Sequence, residues 1–240
     1  MIVAIMIGRA GSKGFPKKNL KNLNGKKICE YPLIAAKKSK KVDKIFVSTD
    51  CPQIKKISKK YLAHVIERPR NLSDSKALGD HVFEHAYYEI KKNYKNLKYI
   101  ILLFANAPLV TSEMINRGIK ILDKNKKFDS AVSTSVYNMW SPLRARKLDN
   151  NGCLKPFVKF EYFGDPKKLN CDRDSQGDVY FADMSVSVVR PKCLEKLKDG
   201  LLPQKWMGNK IAPIKSWAGF DIDYEWQMPL LKYRLKKNDK

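Results

Sequence analysis

The chain has 240 residues, 43% of them hydrophobic, which is enough to bury the core of one large domain. Its 48 lysines and arginines against 24 acidic residues give a formal net charge of +24, a balance typical of proteins that bind nucleic acid, anionic membranes or anionic substrates. The lysines are spread along the whole chain, whereas a nucleic-acid interface would concentrate them on one element. We therefore expect neither a nucleic-acid partner nor a membrane partner.

The cysteines and the hydrophobic runs bear on the cellular compartment. Five cysteines are widely separated and form no C-x-x-C pair: Cys29, Cys51, Cys153, Cys171 and Cys193. An odd and scattered set is typical of reduced thiols in a cytoplasmic protein. No run approaches the ~20 apolar residues of a membrane span, and the N-terminal apolar run lacks the basic start of a signal peptide. The sequence thus predicts a cytoplasmic protein.

The first element joins an apolar run, Ile2–Ile7, to a glycine-rich basic loop over residues 8–19. The run predicts a buried strand, and the loop predicts a turn at the edge of the sheet. Three glycines let backbone N–H groups approach an anion, and Arg9, Lys13 and Lys18 add positive charge beside them. We predict that this loop cradles a polyphosphate, although similar loops in many α/β proteins bind nothing. The three-residue glycine spacing disfavours both a Rossmann cofactor site and a Walker P-loop.

Strand-like and helix-like patterns then alternate through the first half of the chain. Strands are predicted over residues 44–50, 64–68, 99–104 and 130–136, and helices around residues 54–62, 82–90 and 114–122. This alternation predicts an α/β fold with a mostly parallel, doubly wound, Rossmann-like sheet. Ligands of such sheets bind at the carboxyl ends of the strands, where the glycine loop, Asp50 and Asn106 fall.

The alternation breaks at about residue 137, where a turn-rich stretch with many aromatic residues begins and continues to about residue 180. We interpret this stretch as an insertion within a single domain of residues 1–240, and its aromatic residues as an oligomer interface. The sheet is predicted to resume over residues 179–189. A last helix is predicted to carry four apolar side chains on one face: Tyr224, Met228, Leu231 and Leu235.

Residues 81–85 match the H-x-x-E-H pattern of zinc proteases. At ~100° per residue, both histidines and Glu84 lie off the apolar stripe of their own predicted helix. A zinc enzyme would bury these side chains in a cleft. A solvated helix face is therefore favoured over a zinc site.

Asp221 and Asp223 flank Ile222 in a segment that is predicted to be extended. Residues i and i+2 of an extended segment point to the same side. Two carboxylates beside a polyphosphate predict a magnesium site, because Mg²⁺ prefers oxygen ligands and often bridges to phosphate. The alternative is that Asp223 caps the last helix and Asp221 is solvated.

In their order along the chain, these motifs resemble those of the acylneuraminate cytidylyltransferases, and the resemblance covers nearly the whole length. Its most specific parts are residues 9–14 with Lys18 and Asn19, and the run Val-Ser-Thr-Asp at residues 47–50. Arg68-Pro69, Pro108-Leu109 and the two aspartates follow in order. The resemblance implies a Rossmann-like nucleotidyltransferase fold and a homodimer formed through the insertion at residues 137–180.

The resemblance also implies a reaction and a set of ligands. The family joins CMP from CTP to a nonulosonic (sialic-acid-like) 2-keto sugar acid, with Mg²⁺, and releases pyrophosphate. By position, the implied catalytic residues are Arg9, Lys13, Lys18 and Asp221, and the implied metal ligands are Asp221 and Asp223. The implied nucleotide contacts are Arg9, Ala10, Gly11, Ser12, Lys13, Lys18, Asn19, Arg68 and Ser73. Sugar contacts are expected at Asn106 and Asp183.

The chain departs from the family pattern in both substrate pockets. The family's Gln-Pro-Thr-Ser-Pro-Leu-Arg-like run is Phe-Ala-Asn-Ala-Pro-Leu-Val at residues 104–110, which lacks the sugar-contacting glutamine and the arginine. The Thr-Ala-Ser-Ser-like stretch of the base pocket is Ser-Lys-Ala-Leu at residues 75–78. The acceptor is therefore expected to be another nonulosonic acid, such as legionaminic or pseudaminic acid. A transferase using another nucleotide or a sugar phosphate stays open, as does the choice of base between Asp221 and a metal-bound hydroxide.

Overall fold

The structure is a computed structural model that describes residues 1–11, 14–74, 77–170, 172 and 177–238. The strands are β1 Ile2–Ile7, β2 Asn22–Leu23, β3 Lys26–Lys27, β4 Lys44–Thr49, β5 His64–Glu67, β6 Tyr99–Phe104, β7 Ser130–Val136, β8 Arg146–Leu148, β9 Leu154–Pro156, β10 Tyr180–Val189 and β11 Ile211–Lys215. The helices are α1 Glu30–Lys38, α2 Pro52–Lys60, α3 Gly79–Asn93, α4 Ser112–Lys124, α5 Lys192–Glu195 and α6 Met228–Asn238.

A central seven-stranded sheet carries the fold, in the order β11-β7-β10-β6-β1-β4-β5. Strand β10 runs antiparallel to both of its neighbours, and the other neighbouring pairs are parallel. Helices cover both faces of this sheet. The prediction of an α/β fold with a mostly parallel, doubly wound sheet is therefore confirmed.

Strand β1 lies at the centre of the sheet, and its side chains alternate between two cores. Val3 and Ile5 pack with residues of α3 on one face, whereas Ala4 and Met6 pack with residues of α1, α2 and α4 on the other. Both faces are buried, so the strand is apolar along its whole length rather than alternating. This double burial explains why the first residues of the chain read as one apolar run.

Helix α4 shows how closely the helices approach the sheet. The Thr111 hydroxyl caps its first turn by accepting a hydrogen bond from the Met114 N–H at 3.2 Å. A Cβ atom at Gly118 would lie 2.6 Å from Val188 Cγ2 and 2.7 Å from Ile214 Cδ1. Glycine at this position therefore lets α4 lie directly on β10 and β11.

Three parts of the fold differ from the sequence prediction or were absent from it. Helix α1 and the edge strand β11 were not predicted; β11 contains Pro213, which a strand tolerates at an edge. The last helix begins at Met228, and Tyr224 precedes it in an extended conformation, so Tyr224 does not share the apolar face predicted for it. Extended backbone before the helix turns this ring toward the glycine loop instead.

The segment between β7 and β10 consists of short 3₁₀ turns and one small hairpin, β8–β9. Seven of its large apolar side chains are exposed: Met139, Trp140, Leu148, Leu154, Phe157, Tyr162 and Phe163. Among the described residues no helix is long and apolar enough to cross a membrane. Four cysteines are free thiols, and Cys171 lies outside the described residues.

A third, smaller hydrophobic cluster joins the two ends of the chain. Phe15 and Leu23 from the N-terminal part pack with Ile222 and Leu231 from the C-terminal part, and Met228 packs against them. Ile222 is fully buried. The cluster thereby fixes the segment of residues 221–223 against the glycine loop.

Candidate functional site

The glycine loop leaves the carboxyl end of β1 and passes the ends of β4 and β6. A Cβ atom at Gly8 would lie 2.5 Å from Ala105 Cβ, so only glycine allows this close approach. The Gly8 N–H donates to the Ser48 carbonyl oxygen at 3.2 Å, and the Ala10 N–H donates to Asp50 Oδ1 at 3.0 Å. Asp50, at the end of β4, therefore anchors the loop.

A cavity of about 380 Å³ opens beside this loop, and we call it the loop cavity. Six of the polar side chains that line it were singled out from the sequence, and Asp74 and Tyr224 line it as well; the six are Arg9, Lys18, Asn19, Arg68, Asn106 and Asp223. Five of these six come from the predicted catalytic, nucleotide-binding and metal-binding sets, and the sixth is a predicted sugar contact. The structure thus brings residues from four separate chain regions to one cavity at the carboxyl ends of the strands, where ligands of doubly wound sheets bind.

Other predicted nucleotide contacts do not line this cavity. Ala10 and Gly11 belong to the loop but are not among the residues that line the cavity, and the Ser73 hydroxyl donates to the Pro69 carbonyl oxygen at 3.0 Å. Ser12 and Lys13 lie outside the described residues, as do the first two residues of the stretch 75–78.

Two arginines of the loop cavity are held by backbone carbonyl oxygens. Arg9 Nη1 donates to the Asp74 carbonyl oxygen at 2.8 Å, and Arg68 Nη2 donates to the Ser48 carbonyl oxygen at 2.5 Å. Burial lowers the pKa of Arg68 to about 10, against the opposing charge of Asp50. Arg68 therefore stays charged at neutral pH and supplies a positioned, partly buried cation.

Asn19 carries a buried oxygen that lacks a partner. Its Nδ2 donates to the Arg9 carbonyl oxygen at 3.2 Å, whereas its Oδ1 is buried and has no hydrogen-bond partner among the described residues. Leaving a buried acceptor unpaired costs roughly 1–3 kcal/mol. A ligand that donates a hydrogen bond here would remove that cost.

The acid pair, Asp221 and Asp223, adjoins the loop cavity, which Asp223 lines. The ammonium of Lys18 forms an ion pair with Asp223, and Asn106 Nδ2 donates to Asp221 Oδ2 at 2.9 Å. Burial, and then the charge of Asp223, raise the pKa of Asp221, against the Asn106 hydrogen bond and the charge of Lys18. The two carboxylates are therefore close enough to repel each other.

Burial alternates along this segment, because Ile222 is fully buried and the two flanking aspartates are not. The alternation agrees with the predicted extended segment. The two carboxylates nevertheless face different cavities, since Asp223 lines the loop cavity and Asp221 lines the neighbouring one. Both side chains offer only oxygen ligands, and a bound cation would relieve the repulsion between the two carboxylates. These residues therefore fit Mg²⁺, the hard divalent cation that the family resemblance implies.

A second cavity of about 560 Å³ adjoins the acid pair on its other side, and we call it the aromatic cavity. Its walls are mainly large apolar side chains: Tyr137, Met139, Trp140, Phe181, Trp217, Phe220, Trp226, Leu230 and Tyr233. The charged residues among the described residues that line it are Asp183, Asp221 and Arg234.

Asp183, a predicted sugar contact, is held tightly at the base of the aromatic cavity. Its carboxylate accepts hydrogen bonds from the Ser133 hydroxyl, from the Ser135 hydroxyl at 2.8 Å and from the Ser185 N–H at 3.1 Å. A Cβ atom at Gly219 would lie 2.2 Å from Asp183 Oδ2, so the carboxylate is also sterically enclosed. Asp183 therefore has a structural role at the bulge of β10.

Sequence reasoning missed the aromatic cavity, including Trp217, Trp226 and Arg234. The aromatic residues of the insertion were visible and were interpreted as an oligomer interface. The alternation of charged and apolar residues in α6 gave no sign that Arg234 would turn toward Trp217. The one available signal was the density of tryptophans on both sides of the acid pair.

The H-x-x-E-H match lies on α3, away from both cavities. His81 Nδ1 is 3.6 Å from Glu84 Oε2, and the His81 side chain is more than half exposed. Among the described residues no group of three or more His, Cys, Asp or Glu side chains could hold a metal ion.

Comparisons with known proteins agree on one family. A family model described as cytidylyltransferase matches residues 3–202. An N-acylneuraminate cytidylyltransferase of Escherichia coli is 31% identical over 182 residues, which is 76% of this chain but only 42% of that protein. This chain therefore spans less than half of that relative.

Two other relatives are matched over most of their own length. A pseudaminic acid cytidylyltransferase of Campylobacter jejuni is 26% identical, covering 75% of this chain and 77% of that protein. A CMP-N,N'-diacetyllegionaminic acid synthase of Legionella pneumophila is 29% identical over the same shares of the two chains.

The fold itself is shared with a solved CMP:2-keto-3-deoxy-manno-octonic acid synthetase, determined in complex with CTP. The TM-score is 0.68, and 99% of each chain is covered at 13% identity. The similarity therefore concerns the fold, and the nucleotidyltransferase fold implied by the sequence is confirmed.

Proposed function

The chain belongs to the cytidylyltransferase family, and from this membership we propose that it transfers CMP from CTP to a nonulosonic acid and releases pyrophosphate. One observation carries the proposal: four implied nucleotide ligands, Arg9, Lys18, Asn19 and Arg68, line a single cavity together with Asp223. Relatives named for acylneuraminate, pseudaminate and diacetyllegionaminate support an acceptor of that class.

In the proposed complex the loop cavity holds the nucleotide. The charges of Arg9 and Lys18, with Lys13, neutralise the triphosphate, and Arg68 and Asn19 position the nucleoside. Asp221 and Asp223 would hold Mg²⁺, which when bound supplies further positive charge at the phosphates. The Lys18 ammonium now pairs with Asp223, so it already lies beside the place where the phosphates would sit.

The proposed reaction is an in-line displacement at phosphorus. The anomeric hydroxyl oxygen of the acid bonds to the α-phosphorus as the bond from that phosphorus to the bridging oxygen breaks, and pyrophosphate leaves. The hydroxyl proton passes to a base, for which Asp221, a residue of the aromatic cavity, and a metal-bound hydroxide are the two candidates. No protein nucleophile is required, because such transfers depend on positioning and on electrostatic stabilisation.

A pyrophosphate-release assay tests this function. Each of the four nucleoside triphosphates is offered with a panel of nonulosonic acids and hexose phosphates, with and without Mg²⁺. We expect release with CTP, with a nonulosonic acid and with Mg²⁺ together. Turnover with another nucleotide, or with a sugar phosphate alone, would replace the proposed reaction by the alternative that the two divergent pockets leave open.

We also propose that the chain forms a homodimer through residues 137–180, which we interpret as an insertion in a single domain. The scattered cysteines support a cytoplasmic location. Exposed apolar side chains such as Leu148, Phe157 and Tyr162 support this interface, because large apolar and aromatic side chains are enriched at association surfaces. Light scattering of the purified protein tests it. A monomeric mass at micromolar concentration would reject the dimer.

A further inference from the structure

The two cavities meet at the acid pair. Asn106 lines the loop cavity, and its Nδ2 donates both to Asp221 Oδ2 and, at 3.0 Å, to the Ile222 carbonyl oxygen. Asp221 lines the aromatic cavity. A second substrate in the aromatic cavity would therefore face the acid pair from the side opposite the nucleotide, which is the arrangement that an in-line displacement requires.

The aromatic cavity contains one fixed cation among its described lining residues. Arg234 Nε donates to the Trp217 carbonyl oxygen at 2.6 Å, and the Arg234 guanidinium lies 4.6 Å from the centroid of the Trp217 ring. Stacking on an aromatic face and a backbone hydrogen bond together set the direction of a guanidinium. Arg234 is therefore positioned and not simply solvated.

The charged residues that line the aromatic cavity determine whether it attracts or repels an anionic ligand. Without Arg234, its charged lining would consist of the Asp183 and Asp221 carboxylates alone. An acid entering such a cavity would be repelled by both. Arg234 offsets this repulsion, and a guanidinium matches the planar, two-oxygen geometry of a carboxylate.

The walls of the cavity point to the other groups of the ligand. Trp140, Trp217 and Trp226 are each more than half exposed. Large aromatic faces at a cavity surface favour contact with the C–H faces of a sugar ring and with methyl groups, and they offer little to hydroxyl groups. An acceptor with acylated amino groups suits these walls better than one that carries hydroxyls alone.

We propose that the aromatic cavity binds the acid acceptor, with the Arg234 guanidinium pairing with its carboxylate and the tryptophan rings covering its acyl substituents. The inference rests on the function proposed above. It assigns Arg234 as a substrate-binding residue for the acceptor and predicts a preference for doubly acylated acids over 2-keto-3-deoxy-manno-octonate.

Steady-state kinetics with acids and their methyl esters test the role of Arg234. The probes are N-acetylneuraminate, pseudaminate and N,N'-diacetyllegionaminate, each also as the ester, which keeps the shape and loses the charge. In Arg234→Gln we expect the acceptor KM to rise by about 30-fold, as for loss of a charged pair, while the KM for CTP stays within about twofold. The wild type should disfavour the ester strongly, and Arg234→Gln should lose that discrimination.

The matched control is Lys232→Gln, which removes a positive charge from an exposed position of the same helix that lines neither cavity. It should leave both KM values and the ester discrimination unchanged. If Arg234→Gln does not fold, Arg234→Lys replaces it, and this variant should raise the acceptor KM while retaining discrimination against the ester. Binding of CTP, measured by calorimetry, reports whether each variant keeps its fold.

Several results would overturn the assignment. An unchanged acceptor KM in Arg234→Gln, or an equal rise in both KM values, would remove Arg234 from the acceptor site. If Arg234→Gln has the mass of a monomer but still discriminates against the ester, the aromatic cavity is an interface between two copies of the chain. If the wild type is active and Arg234→Gln has the same kinetics, this inference alone is rejected. If the wild type releases no pyrophosphate from CTP with any of the acids, the proposed function is rejected as well.

The predicted selectivity has its own test. The ratio of kcat/KM for N,N'-diacetyllegionaminate over 2-keto-3-deoxy-manno-octonate should exceed about tenfold, as expected for burial of acyl methyl groups. Trp226→Ala should reduce this ratio. Tyr88→Ala, which removes an exposed ring of α3 outside the aromatic cavity and outside the proposed interface, should leave it unchanged. A ratio near one in the wild type would contradict the proposed contacts.

Discussion

The loop cavity and the aromatic cavity lie on either side of the same three residues, 221–223, and differ in nearly every other respect. The loop cavity is lined by two arginines that backbone carbonyl oxygens hold in place, by Lys18 in its ion pair with Asp223, and by two amide side chains. The aromatic cavity is walled by rings and carries Arg234 as the cation among its described lining residues. One cavity suits a highly charged ligand, and the other suits a ligand with one charge and much apolar surface.

This difference teaches how an extended segment can serve two cavities at once. Ile222 anchors the segment in the third hydrophobic cluster, and the two aspartates beside it then face separate cavities. A helix would have placed residues i and i+2 about 200° apart on its surface. The extended backbone keeps the two carboxylates near each other and still divides them between the cavities.

The largest expected effect comes from the carboxylate of the loop cavity. Asp223→Asn should lower kcat by about 10²–10³-fold and raise the Mg²⁺ concentration needed for turnover, because one charged ligand and the partner of Lys18 are lost. Titration of activity with Mg²⁺ measures this effect, and thermal melting should show an intact fold. Glu225→Gln, an exposed carboxylate two residues further along, is the control. Kinetics equal to those of the wild type would remove Asp223 from the metal site.

The second prediction tests whether the two cavities bind different substrates. Arg68→Lys keeps the charge and loses the donation by two guanidinium nitrogens to Ser48, so the KM for CTP should rise by about tenfold. The acceptor KM should not change, since Arg68 does not line the aromatic cavity. Arg70→Lys, at an exposed position, is the matched control. A rise in the acceptor KM alone would exchange the roles assigned to the two cavities.

A carboxylate that lies in neither cavity gives the third prediction. Asp129 precedes β7 and accepts hydrogen bonds from the N–H groups of Asn209 and Lys210, at 2.9 Å each, and from Lys192 at 2.5 Å. Burial by itself would raise the pKa of Asp129, but these donors outweigh it and the pKa is lowered. Asp129→Asn should reduce the free energy of unfolding by about 1–3 kcal/mol at neutral pH and leave both KM values unchanged.

The pH dependence of this effect follows from the direction of the shift. Because the pKa is lower in the folded state, the carboxylate stabilises the fold above the pKa of an unfolded aspartate, near 3.9, and the contribution is lost as the pH falls through the folded value. Denaturant unfolding between about pH 2 and 7 should therefore show the two proteins converging at acid pH. Asp123→Asn, which breaks a surface pair with Lys98, should change stability by less than about 1 kcal/mol.

The smallest expected effect tests how closely the glycine loop approaches the acid pair. A Cβ atom at Gly14 would lie 3.0 Å from the Asp223 carbonyl oxygen and 3.3 Å from Tyr224 Cε1. Gly14→Ala should therefore displace this segment slightly and weaken CTP binding by about fivefold, or ~1 kcal/mol. At Gly11 no atom of the described chain lies within 4 Å of such a Cβ, so Gly11→Ala should leave the acid segment in place and weaken CTP binding less than Gly14→Ala does. Equal effects of the two substitutions would argue against the contact.

The sequence predicted most of the sheet because its central strands are apolar on both faces. The runs at Ile2–Ile7 and Tyr99–Phe104 are unmistakable for this reason. Strand β11, which alternates and contains Pro213, sits at an edge and lacks that signal. The antiparallel direction of β10 depends on the path of the insertion, which leaves no mark on local periodicity.

The loop cavity could be predicted and the aromatic cavity could not, for a related reason. Glycines and cations of the loop lie close together in the sequence, so Arg9 and Lys18 were recognisable as one group. The residues around Arg234 come from the insertion, from β10, from the acid segment and from α6. Only tertiary packing brings these segments together. The local sequence pattern of each segment is that of an ordinary core or surface segment.

The Lys18–Asp223 pair joins residues 205 positions apart in the chain. At synthesis rates of about 5–20 residues per second, the ribosome completes the glycine loop some 10–40 s before it adds the acid segment. Throughout that interval the nascent chain carries Arg9, Lys18 and Asn19, the residues proposed to bind the phosphates and the nucleoside, without the two aspartates. A polypeptide cut short before residue 221 would keep the strands of the central sheet and would lack both aspartates, so the proposed site is complete only after the acid segment has been added.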